Sequence, residues 1–187
     1  MVSITLEWHA SSTDNEAHRS SGHADVELSK RGVQQARQLG DRYSNSYFDA
    51  VFCSDLKRSY ATGEIAFGDR DWPIIRDARL RECDYGDFTQ HPSQQLDLER
   101  PKRINVPFAN GESYEDAAAR MGSFLKDLLN DYDKKNVLII GHGATQIGLE
   151  HWIKGVTVKD AVISPPKWQP TWRYQLERRK SMRPGTK

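Results

Sequence analysis

The sequence predicts a single α/β domain whose mostly parallel sheet is covered by helices on both faces. Three observations predict it. Short β-prone runs alternate along the chain with segments of helical period, the pattern that joins parallel strands through crossover helices. Residues 136–140 (NVLII) form an unbroken apolar run, as a strand buried on both faces requires. The chain has 187 residues, 37% of them hydrophobic and five of them tryptophan, which suits one domain around one sizeable core.

Residues 2–7 (VSITLE) are the first strand and reach His9 at their end. Residues 11–27 are small and polar, a loop too polar to pack but long enough to fold over a site. Ser29 then caps a helix to about Tyr43, with Val33, Ala36, Leu39 and Tyr43 on one stripe. A second strand spans 48–53 (FDAVFC), and a helix from Asp55 carries Leu56, Tyr60, Ile65 and Phe67 before ending near Gly68. Residues 73–75 read as a brief third strand. The charged, proline- and glycine-bearing stretch 77–110 reads as loop with a short helix around 94–99. Ser113 and Asp116 form a variant capping box ahead of a helix to about Tyr132, with Ala117, Met121, Phe124, Leu125 and Leu128 as its apolar stripe. After the strand 136–140 come Gly141, His142 and Gly143, then a helix over 144–153. Residues 172–176 are a late edge strand, and 178–187 are a basic, frayed tail.

Lys plus Arg number 27 and Asp plus Glu 26, so a net charge of +1 gives no reason to expect a nucleic acid or a membrane as partner. The basic tail lacks interleaved aromatics and reads as a solvated terminus. No apolar run approaches the roughly 20 residues that cross a bilayer, and the first seven residues lack the features of a signal peptide. Cys53 and Cys83 form no CxxC pair, so neither a disulfide framework nor a cysteine zinc site is expected, and a cytoplasmic setting is.

Ligand sites in such sheets gather where strands end and helices begin. His9, Ser54 with Arg58, and His142 all fall there. A histidine at a strand end can offer one ring nitrogen for attack while a hydrogen bond holds the other. An arginine in the first turn of a helix is a ready phosphate clamp, although an exposed helix arginine is the commoner case. His142 stands between two glycines, where backbone amides, Gly143 included, can approach an anion closely. Glu82, from the loop-rich middle, could protonate a leaving group or simply be a solvated carboxylate.

Five segments in order, WHASSTDN, SDLKRS, LRECDYGDF, GES and LIIGHGA, resemble the histidine phosphatase superfamily, over about residues 2–153. That family includes cofactor-dependent phosphoglycerate mutases and many small-molecule phosphatases. The resemblance implies a three-layer α/β sandwich over 1–177 that uses no metal or other cofactor, and hydrolysis of a small-molecule phosphomonoester through a phosphohistidine. His9 falls on the phosphorylated histidine, Arg58 on the second clamp arginine, Glu82 on the proton donor and His142 on the second histidine. Asn15 falls on a phosphate contact, and Ser21 and Gly22 on the substrate-lining serine and glycine.

The chain departs from the pattern at the Arg-His-Gly triplet, where Trp8 replaces the arginine and Ala10 the glycine. An indole has one N–H and no charge. Losing a charged hydrogen bond to the phosphate costs about 1.5–3 kcal/mol, roughly one to two decades in rate. Glu7 adds a carboxylate beside the pocket. Three readings follow. Another cation (Arg19, His18, Arg81 or His23) moves in, with Glu7 orienting it; or the substrate is unusual, with an aromatic group on Trp8; or catalysis is weak or lost and the chain is a phosphate-ligand binding or regulatory relative. Retention of His9, Arg58, Glu82 and His142 together favours an active phosphatase. A mutase is disfavoured, because 82–111 is short and adds only Arg100, Lys102 and Arg103 as basic residues. A metallohydrolase built on His18, His23 and Asp25 fits no common ligand spacing. Residues 165–172 (PPKWQPTW) read as an edge segment packing its tryptophans on the core, with a lid or a homodimer contact as the sharper alternatives.

Overall fold

A computed structural model describes residues 1–167 and 169–177; the expected basic tail and Trp168 lie outside the described residues. The strands are β1 (Val2–Trp8), β2 (Ala50–Cys53), β3 (Ile74–Arg76), β4 (Asn136–Gly141) and β5 (Trp172–Leu176), in the order β3-β2-β4-β1-β5. All neighbours pair in parallel except β5, which runs antiparallel along β1 at the sheet edge.

The two-residue period of the strands divides the core. Val2, Ile4 and Leu6 of β1, Ala50 and Phe52 of β2, and Val137 and Ile139 of β4 face one way. They meet Met121, Phe124, Leu125 and Leu128 of α5 (Tyr114–Asp131), whose start is fixed by the expected Ser113–Asp116 capping box. Val51, Cys53, Leu138 and Ile140 face the other way, toward Leu39 of α2 (Lys30–Arg42) and Ala66 and Phe67 of α3 (Lys57–Phe67). A third cluster lies beneath α4 (Ser93–Glu99), α6 (Gly143–Leu149) and α7 (Val158–Ile163), around Tyr85, Leu96, Phe108 and Ile147. No described helix is long and apolar enough to cross a membrane.

The structure shifts some expected boundaries. Residues 13–16 form a single helical turn, α1 (Thr13–Glu16), inside the stretch read as loop, closed by a Ser12–Asn15 capping box. β2 begins at Ala50 rather than at 48, and Ile65, expected on the apolar stripe of α3, is exposed. The helix after His142 is α-helical only to Leu149 and widens into a π turn, Glu150–Lys154, ended by Gly155 at φ 76°. α7 has no counterpart in the sequence reading; six residues are too few for a helical period to register.

The buried stripe of α2 is Gly32, Ala36, Leu39 and Gly40, with Val33 only half-buried. Glycine lets this helix lie against backbone. A Cβ on Gly40 would stand 2.5 Å from the carbonyl oxygen of Ala66 in α3. Helix propensity alone favours alanine over glycine by about 1 kcal/mol. Overpacking a tight contact costs about 1–3 kcal/mol, so Gly40→Ala is expected to lower the urea midpoint. A raised midpoint would show that the α2–α3 contact yields easily.

Candidate active site

The C-terminal ends of β1, β2 and β4 open on a cavity of about 790 Å³. His9 follows β1 directly and lines it. Its Nδ1 lies 2.7 Å from the carbonyl oxygen of Ala10. A carbonyl only accepts, so Nδ1 carries the proton and Nε2 keeps its lone pair. The rings of His9 and His142 stand 4.9 Å apart, tilted by 52°. His142 is 1% exposed, with Nε2 2.7 Å from Ser54 Oγ and Nδ1 without a hydrogen-bond partner.

Arg58 enters from the first turn of α3, is 2% exposed, and lines the same cavity. Its guanidinium donates to the carbonyls of Gly22 (2.7 Å) and Ala24 (2.9 Å), which fixes the loop after β1 against it. Gly22 sits at φ 48°, a left-handed conformation natural to glycine. Glu82 faces His9 and Arg58 across the site. Oε1 accepts from the amides of Cys83 (2.8 Å) and Ala144 (2.9 Å), and Oε2 from Gly143 (3.1 Å). The Gly143 amide, expected to meet a phosphate, is therefore engaged by the Glu82 carboxylate. Arg120 of α5 holds the Glu82 segment, donating to the carbonyls of Arg79, Arg81 and Glu82 and pairing with Glu112. Ser21 lines the cavity, as does Asn15, whose Oδ1 is committed to Ser12.

Burial first, then the neighbouring Arg58, pulls His9 from 6.5 down to about 4. The same causes, in the same order, hold His142 well below the usual histidine range. Both rings are neutral at physiological pH, and the folded state resists charging them. An unfolded histidine takes its proton near pH 6.5. Between that pH and about 4 the unfolded chain therefore binds more protons than the folded one, and stability falls as pH falls. His9→Asn is expected to flatten this decline in urea midpoints measured from pH 7 to 4. An unchanged slope would place its source elsewhere.

Trp8 ends β1 and lines the cavity. Its indole lies on that of Trp172, with centroids 5.9 Å apart and planes 21° apart. Glu7, 3% exposed, is paired: Arg42 donates to Oε2 at 2.9 Å, and Tyr43 and Thr171 donate to Oε1 at 2.6 Å each. The carboxylate is thus neutralised by Arg42 and orients none of the expected substitute cations. Arg81 is bound to Asp55, His23 donates to the Glu82 carbonyl, and His18 is exposed away from the cavity. Arg19 lines the cavity, and so does Arg100, one of the three basic residues noted in the 82–111 stretch. The His18, His23 and Asp25 set is also dispersed, since Asp25 accepts from the Lys57 amide; no group of three or more potential metal ligands occurs among the described residues.

A family model described as the histidine phosphatase superfamily (branch 1) matches residues 4–162. The "Uncharacterized phosphatase PhoE" of Bacillus subtilis is 30% identical, over 77% of this chain and 73% of its own. The "Probable phosphoglycerate mutase GpmB" of Erwinia tasmaniensis is 30% identical, over 76% of this chain and 70% of its own. Among solved structures, Bacillus stearothermophilus YhfR superposes with a TM-score of 0.77 at 28% identity, covering 89% of this chain and 86% of that one.

Proposed function

Because the chain belongs to the histidine phosphatase superfamily, we propose that this cavity hydrolyses a small-molecule phosphomonoester through a phosphohistidine on His9. The observation that carries the reading is the state of the His9 ring: neutral, with Nδ1 tied to the Ala10 carbonyl, so that Nε2 is a nucleophile of fixed orientation.

Nε2 attacks phosphorus as the ester P–O bond breaks, and Glu82 delivers a proton to the departing alcohol oxygen. Arg58 and His142 stabilise the transferring group; in the tautomer where Ser54 donates to Nε2 of His142, the unpartnered Nδ1 carries a proton for a phosphoryl oxygen. Water then attacks the phosphohistidine, Glu82 takes its proton, and phosphate leaves with His9 restored. Arg19 and Arg100, which line the cavity, are the candidates to offset the missing arginine, Arg100 with Asp97 at 3.6 Å.

The test is phosphate release from p-nitrophenyl phosphate and phosphoserine, with trapping of the enzyme during turnover. An acid-labile, base-stable phosphoryl label on His9 is the expected result. Turnover with label on another residue, or no turnover of any phosphomonoester, overturns the reading.

A further inference from the structure

The Trp8 wall of the cavity has no part in the chemistry just described. Trp8 is 42% exposed and lines the cavity, while Trp172 beneath it, on β5, is 2% exposed. The near-parallel stack therefore fixes one indole face on a buried partner and leaves the other available. Pro165, Pro166 and Pro170 line the same cavity, rigid apolar surfaces that suit a flat group. The Glu7 carboxylate nearby is paired with Arg42, so the wall carries no uncompensated anion.

Buried hydrogen-bond donors of cavity-lining residues lack partners, Gln146 Nε2 and Trp172 Nε1 beside Arg100 Nε. Buried N–H groups are nearly always paired, by protein, water or ligand.

We propose that this wall is a subsite for a planar aromatic ring on the alcohol side of the phosphate ester, stacked on Trp8. The proposal rests on the phosphatase reading above and names its substrate class. Trp8 is next to His9 in the chain and both line the one cavity, so a ring on this wall and a phosphate at His9 can belong to one small ester. Binding energy gained from the ring supplies orientation that a clamp arginine would otherwise give.

The experiment compares 1-naphthyl phosphate with glycerol 2-phosphate on the wild type, Trp8→Ala and Trp8→Phe. Differences in leaving-group reactivity cancel when each variant's ratio of kcat/KM values is set against the wild-type ratio. Trp8→Ala is expected to lower that ratio about tenfold, and Trp8→Phe to keep most of it. Calorimetric binding of 1-naphthylphosphonate, which is not hydrolysed, is expected to weaken about tenfold in Trp8→Ala by the same loss of stacking. Equal ratios and equal affinities in all three proteins overturn the ring subsite and leave the phosphatase reading standing. Absence of turnover on both esters, and on p-nitrophenyl phosphate and phosphoserine, defeats the phosphatase reading instead, and the phosphonate affinities alone then decide the subsite.

Discussion

His9→Ala is expected to reduce kcat for phosphomonoester hydrolysis by about a thousandfold or more, because it removes the atom that forms the covalent intermediate. The remaining groups would still bind and polarise the phosphate, so a residual rate above that of water is expected, with KM little changed. The fold gives the comparison meaning. His9 is only half-buried and its ring hydrogen bond runs to the adjacent Ala10 carbonyl, so truncation leaves the sheet intact. A thermal midpoint measured beside the assay checks that. His142→Ala is a useful contrast, since it removes a buried ring bound to Ser54 and is expected to lower both stability and kcat/KM. Retention of hydrolysis within tenfold in His9→Ala would show that water attacks phosphorus directly and would sink the covalent route.

Much of the site was legible because its members sit where strands end. A strand whose apolar pattern runs to residue 6 or 140 places whatever follows at the mouth of a parallel sheet, and the structure brings His9, Arg58 and His142 there. Glu82 was reached by resemblance rather than by period; its segment has no regular structure beyond one 3₁₀ turn, and it is placed by Arg120 and by the amides at the start of α6. Arg120 gave no signal, because one arginine beside the stripe of α5 looks like any solvated helix residue until its carbonyl partners are known. Gln146 gives none for the same reason, and Arg100 stands out only as one of three basic residues in 82–111 until the fold turns it to the cavity. Glu7 adds a carboxylate beside the pocket, and its partners Arg42 and Thr171 lie 35 and 164 residues away, so no local pattern announces the pairing. The α2 stripe was displaced toward Gly32 and Gly40 because a hydrophobic-period search gives glycine no weight where backbone meets backbone.

Arg58→Ala is expected to lower kcat/KM by two to three decades, about the loss measured when one preorganised donor to a transition-state oxyanion is removed. The missing family arginine enlarges the effect here. With Trp8 beside His9, Arg58 carries the positive charge that acts most strongly on the ring. Stability should fall as well, since the carbonyls of Gly22 and Ala24 lose their charged donor, at about 1–3 kcal/mol for a buried acceptor left unpaired. The two effects separate in Arg58→Lys. An ammonium restores charge but cannot fork between two carbonyls and a phosphate, so partial recovery of kcat/KM with little recovery of the urea midpoint is expected. Millimolar guanidinium added to Arg58→Ala tests the same point from solution. It should raise the rate by filling the vacated space with the same planar cation, without moving the midpoint upward. A variant that keeps full kcat/KM while losing stability would show that Arg58 serves the loop alone, and the phosphate clamp would have to be sought in Arg19 or Arg100.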